Sequence, residues 1–228
     1  MHIAQPLSKI ELEVIACRKC SRLVSWREEV AVIKRRAYRE QDYWGKPVPG
    51  FGDPEAKLLA YGLAPGAHGS NRTGRMFTGD ASGDFLYPAL YRQGFANQPT
   101  ASDRFDAMEL KGLFISAAVR CAPPDNKPTH QEIENCRPWT RLELGQLKSL
   151  QGVVVLGRIA FDSLLSLPEF QPVKQRKLQF GHGLFYDLGE GLPWLLCSYH
   201  PSRQNTQTGR LTVEMFDAIW QKARELLV

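Results

Sequence analysis

"AKLLAYGLAPGAHGSNRTG", residues 56–74, joins two kinds of sequence without a spacer. Its first seven residues are almost wholly apolar, the pattern of a strand covered on both faces. The remainder is rich in Gly and Ala and carries Pro65, His68 and Arg72. Three further apolar runs repeat the arrangement: "GLFISAAVR" (112–120), "GVVVLG" (152–157) and "PWLLCS" (193–198). They lead into "CAPPDNKP", "GR" and "YHPSRQNTQTGR". Helical patterns separate the runs. "DASGDFLYPALYRQG" opens on capping residues and stops at Gly94. Thr129 and Glu132 have the spacing of a capping box. "TVEMFDAIWQKARELL" has a 3.6-residue apolar period. Strands alternating with helices predict an α/β fold, three-layer α/β/α around a four-stranded parallel sheet. The unusual polar, Gly- and Pro-rich segments all follow strands. They would gather at the carboxyl edge of the sheet, where open α/β folds bind ligands.

A chain of 228 residues with 43% hydrophobic content can bury one sizeable core, so residues 1–228 are expected to form a single domain. No apolar run reaches the roughly 18 residues of a membrane span. The first residues lack the charged, apolar and small-residue succession of a signal peptide. A cytoplasmic monomer with no membrane partner is expected. The net charge of +5 is compatible with nucleic acid or another anionic partner.

Five cysteines in a reducing compartment are poor candidates for disulfides. Cys17 and Cys20 form C-x2-C, and Cys121 and Cys136 follow with fourteen residues between them. Four thiolates suit a 4Fe–4S cluster or a structural zinc. Cys197, inside "PWLLCS", reads as a small buried hydrophobe.

The loop motifs, taken together and in order with the four cysteines, resemble the iron–sulfur uracil-DNA glycosylases, most closely family 5 of that superfamily. The resemblance runs from Cys17 to about Arg210. It implies excision of uracil, and of other deaminated bases such as hypoxanthine, from DNA by hydrolysis of the N-glycosidic bond. No lysine in the pocket loops reads as a nucleophile, so strand cleavage through a Schiff base is not expected. The resemblance also favours a structural 4Fe–4S cluster on Cys17, Cys20, Cys121 and Cys136 over zinc.

An enzyme acting on a base takes it out of the stack into a close pocket. The resemblance assigns base contacts to Gly62, Ala64, Pro65, Gly66, Ala67 and His68, with Phe77 stacking on the base. By residue type alone, Phe77 is equally a core aromatic and His68 a surface histidine. The resemblance places His200 as the donor that stabilises charge on the departing base. It leaves water activation to Asp80 and Asn126. Each has a structural competitor, since "TGDAS" can make Asp80 a helix cap and "PPDNKP" can make Asn126 a turn residue. Arg75, Ser198, Ser202, Asn205 and Arg210 are the expected DNA contacts, with Arg72 beside them. The basic run "KRRAYR" (34–39) reads as a solvated face. Two rivals remain: a non-catalytic nucleic-acid-binding module with a metal staple, and a cluster-dependent redox or radical enzyme, although the chain lacks the C-x3-C-x2-C spacing usual in radical enzymes.

Overall fold

The computed structural model describes residues 6–174 and 176–227. Six strands form one sheet: β1 (Phe51–Gly52), β2 (Leu58–Gly62), β3 (Leu113–Ala117), β4 (Gly152–Leu156), β5 (Phe185–Tyr186) and β6 (Trp194–Ser198). The order is β1-β3-β2-β4-β6-β5. The four central strands are parallel and coincide with the four apolar runs. The sheet is nevertheless six-stranded rather than four-stranded. β1 and β5 pair antiparallel at its two edges and are two residues each, too short to leave an alternating pattern in the sequence.

The helices are α1 (Leu7–Ile15), α2 (Ser21–Ile33), α3 (Ser70–Thr73), α4 (Ala81–Arg92), α5 (His130–Gln146), α6 (Arg158–Leu165), α7 (Gln171–Lys174), α8 (Arg203–Gln207) and α9 (Val213–Glu225). Their starts are written in side chains. Thr129 and Glu132 complete the capping box of α5. Thr212 accepts from Met215 N at the start of α9, and Ser202 accepts from Asn205 N at the start of α8.

Strand alternation divides the core between two faces. Leu58, Ala60, Ile115, Val154 and Leu196 pack on one face against Leu86 and Leu90 of α4 and Phe216 and Trp220 of α9. Leu59, Tyr61, Val153, Val155 and Cys197 pack on the other against Phe161 and Leu164 of α6. Helices thus cover both faces and the architecture is α/β/α. Cys197 is the buried apolar residue its run predicts. Among the described residues no helix is long and apolar enough to cross a membrane.

β2 and β4 are neighbours, yet the chain leaves them in opposite directions, through α4 to β3 and through α6 to β6. That reversal opens a crevice at the carboxyl ends of β2 and β4, the usual ligand position in such sheets.

Candidate active site

A cleft of about 280 Å³ occupies this edge. Leu63, after β2, and Gly157, after β4, stand on its walls with Phe180, Tyr199, His200, Asn205 and Arg210. The loop after β2 therefore meets the loop after β6, as the sequence motifs anticipate.

Phe77 is a constrained residue of the first loop. It is non-glycine and bulky, yet its backbone is left-handed, with φ of 52°. Such residues cost roughly 1–3 kcal/mol and persist where the surroundings over-determine them. Here Tyr87 Oη donates to Met76 O at 2.9 Å and Arg75 Nε donates to Thr78 Oγ1 at 3.0 Å, pinning the residues on either side. The ring lies over Gly62, where a Cβ would stand 2.9 Å from its Cζ. Its other neighbour is His200, with centroids 5.9 Å apart and planes 30° from parallel. Phe77 belongs to the core and also touches His200, which lines the cleft.

His200 follows β6, and Asn205 Nδ2 donates to its carbonyl at 2.8 Å. Burial pushes its imidazole down to about 4 from an ordinary 6.5. At neutral pH the ring is uncharged and keeps one N–H to donate. Between pH 6.5 and about 4 the unfolded chain binds the proton that folded His200 refuses. Stability is therefore lost as the pH falls through this window. A His200→Phe variant is expected to show a shallower fall in its urea midpoint there. An unchanged slope would show that His200 does not carry this linkage.

Asp80 caps α4, its Oδ1 accepting from Ser82 N at 3.0 Å and Gly83 N at 3.2 Å. Its Oδ2 lies under the first loop. A Cβ on Gly69 would fall 1.9 Å from that oxygen and one on Gly66 2.7 Å, so both positions require glycine for this approach. Burial raises the carboxyl's pKa, and the cap bonds oppose the rise. Asn caps helices as well as Asp does. Asp80→Asn is expected to melt with the parent protein, whereas Asp80→Ala loses about 1 kcal/mol of stability. Thermal unfolding distinguishes them, and equal melting of all three would remove the cap from the account.

Asn126 is exposed in the loop after β3. It and Asp125 are consecutive left-handed residues, with φ of 56° and 53°, which Asn and Asp tolerate better than other side chains. His68 accepts or donates at Nδ1 with Tyr43 Oη, 3.0 Å away, and its carbonyl accepts from Arg72 Nε. Arg72 also donates to Gly79 O, so it braces the loop internally. Ala64 turns from the cleft and packs with Leu23, Val119, Cys121 and Cys136.

Two expected DNA contacts are corrected by burial. Arg75 is 4% exposed and makes a two-pronged pair with Asp106, 2.7 Å on each prong. Ser198 is fully buried and donates to Tyr199 O. Neither presents a polar atom to a phosphate. Ser202 and Asn205 are half-buried at the start of α8, and exposed Arg210 lies over the Tyr199 ring at 4.7 Å.

Cys17, Cys20, Cys121 and Cys136 line a second, separate cavity, joined there by Arg120, Asn135 and Trp139. Among the described residues no three His, Cys, Asp or Glu side chains are set as ligands of one metal ion. Burial pushes the Cys121 thiol up to about 11 and the Cys136 thiol up to about 12, yet hydrogen-bond donors approach the sulfurs. Buried Arg27 donates to Cys121 Sγ at 2.9 Å, and Asn135 Nδ2 donates to Cys20 Sγ at 3.3 Å. The carboxylate beside Arg27 is Glu28, 3.7 Å away and already held by Arg18. Arg120 Nη2 donates to Glu143 Oε2 at 2.7 Å, while its Nε and Nη1 and Arg27 Nε are buried without partners among the described atoms. Cationic donors around four sulfurs fit a thiolate-bound, negatively charged group.

The profile of the uracil DNA glycosylase superfamily matches residues 49–224. The chain belongs to that superfamily. A type-5 uracil-DNA glycosylase of Thermus thermophilus is 54% identical over 211 residues, 92% of this chain and 94% of that protein. One from Mycobacterium leprae is 48% identical over 224 residues, 98% of this chain and 96% of the relative. One from Pyrobaculum aerophilum is 42% identical, covering 92% and 88%. The family resemblance read from the loop motifs agrees with these matches.

Several residues of this superfamily member escaped the motif reading. Tyr43 approaches His68 from 25 residues upstream, and no spacing announces it. Phe180 lines the cleft from a segment without a motif. Tyr199 and Gly157 stood in quoted loops, next to His200 and in "GR", and their neighbours were the signal. Arg27 lay within an apparently ordinary helix.

Proposed function

We propose that this protein flips uracil out of DNA and hydrolyses its N-glycosidic bond, releasing the base and leaving an abasic site. Hypoxanthine and other deaminated bases are included in the proposed range. The carrying observation is the Phe77–His200 pair. A strained aromatic fixed over Gly62 faces a neutral histidine that lines the switch-point cleft. Uracil is favoured as substrate because the curated relatives are named uracil-DNA glycosylases.

Breaking the bond sends its electron pair to the base nitrogen and leaves cationic character at C1′. In the proposed assignment, Phe77 stacks on the base and the His200 N–H donates to a base carbonyl oxygen, where negative charge develops. Water adds to C1′ and loses a proton. Asp80, with its raised pKa, is the proposed acceptor, and Asn126 is the proposed water-orienting amide. Backbone groups of Gly62, Pro65, Gly66 and Ala67, with His68 at the rim, would border the base. Ser202, Asn205 and Arg210 would hold the strand.

The four cysteines are proposed to hold a 4Fe–4S cluster. Bound there, it would supply a cross-link and no step of the hydrolysis. Val119 N donates to Leu63 O at 2.9 Å, and Ala64 packs beside Cys121, so the cysteine site abuts the base loop.

A duplex oligonucleotide with one uracil, incubated with the protein and then treated with alkali, tests the reading. A cut at uracil, absent in a thymine control, is expected. An intact uracil strand and an intact hypoxanthine strand, with the protein still binding DNA, would replace this reading by that of a binding module.

A further inference from the structure

Beside the site stands a group of side chains that the proposed chemistry does not use. The chain between α4 and β3 makes a long excursion. It starts and ends at the amino edge of the sheet, where Ala96 bridges Leu110 and Gly112 leads into β3. In between it reaches the carboxyl edge. There Asp106 takes both prongs of Arg75, two residues before Phe77. The tip is rigid. Asp106 also accepts from Ser102 N and Met108 N, and Asp103 accepts from Phe105 N at 2.7 Å.

This rigid tip presents Phe105, 84% exposed. Next to it, the Arg104 guanidinium lies 4.5 Å from the centre of the Trp44 ring, and Lys46 Nζ lies 5.3 Å from the same ring. Among the described residues neither cation has an ion-pair partner. The carboxylates of the tip are engaged within it. Trp44 is itself fastened to the base loop, since its backbone N–H donates to Arg72 O at 2.8 Å and its ring packs on Gly74. A projecting aromatic held in water, with the Arg104 guanidinium 5.2 Å from its ring centre, forgoes apolar burial with no gain to the fold.

We propose that Lys46, Trp44, Arg104 and Phe105 form an accessory DNA platform, continuous with the base loop, that grips the strand flanking the flipped nucleotide. Lys46 and Arg104 hold phosphates, and Phe105 stacks on a base that has left the helix. This rests on the reading of the protein as a DNA glycosylase. Exposed aromatics with neighbouring cations bind single-stranded nucleic acid in this manner.

The test is fluorescence anisotropy with a labelled uracil-containing single strand and the matching duplex. Phe105→Ala is expected to weaken single-strand binding about tenfold and duplex binding less, and Phe105→Leu to restore little of it. Arg104→Ala is expected to lower the slope of log K against log salt by about 0.7–0.9. All three side-chain changes are at exposed positions and leave the core intact. Variants binding within twofold of the parent, at an unchanged salt slope, overturn the platform alone, provided the parent releases uracil. A parent that neither releases base nor binds the single strand overturns the platform together with the glycosylase reading.

Discussion

His200→Ala is expected to slow uracil release about a hundred- to a thousandfold, the cost of removing one aimed donor from a developing oxyanion. DNA affinity should stay within about twofold. A donor that acts where charge appears during bond breaking would do little for ground-state binding, which is the source of the expected difference. The desolvated position of His200 strengthens the effect, since burial already holds the ring neutral. Single-turnover rates at saturating enzyme separate the chemical step from binding. His200→Phe would keep an aromatic beside Phe77 and still be slow, whereas His200→Gln, which restores an N–H, should recover part of the rate. A His200→Ala enzyme as fast as its parent would remove the residue from the reaction. An enzyme equally slow with Gln and weak in DNA binding would make its role one of packing.

Cys121→Ser is expected to cost a large share of the protein's stability. Typical domains hold about 5–15 kcal/mol in total. Without a thiolate-bound group, Arg27 keeps a buried charge facing a neutral hydroxyl, and removing one partner of a buried charge costs about 3–5 kcal/mol. A group bound by the four cysteines would also tie the turn between α1 and α2 to the β3–α5 loop and to α5 itself, connections that no strand pairing supplies. The parent protein should carry about four iron and four sulfide per chain, with visible absorbance that the variant lacks. Zinc at one per chain in the parent would replace the cluster by a mononuclear site. A variant that melts with its parent and retains its iron would exclude Cys121 as a ligand.

Asp80 illustrates how one residue can carry two readings that sequence alone leaves open. "TGDAS" spells a helix cap, and the cap bonds are made by Oδ1. Only the fold shows that Oδ2 lies against Gly66 and Gly69, eleven or more positions earlier. Arg75 illustrates the opposite case. An arginine in a glycine-rich loop suggests a phosphate, yet Asp106, 31 residues onward, claims both prongs of its guanidinium. No local pattern marks that partner, because an ion pair across the fold needs no particular spacing.

Four apolar runs, the capping box at Thr129 and Glu132, the period of α9 and the spacing of the cysteines are local properties of the chain. They determine the central strands, the helix starts, the α/β class and the set of loops at one edge. Burial period and cap chemistry act within a few residues, so a linear reading captures them. Tertiary structure decided what each loop residue touches. It put Phe77 in a left-handed conformation over Gly62, buried Arg75 and Ser198, brought Tyr43 to His68, and added β1 and β5 to the sheet edges. These outcomes depend on close approaches between distant segments, where the space a neighbour leaves and the charge it offers select the arrangement.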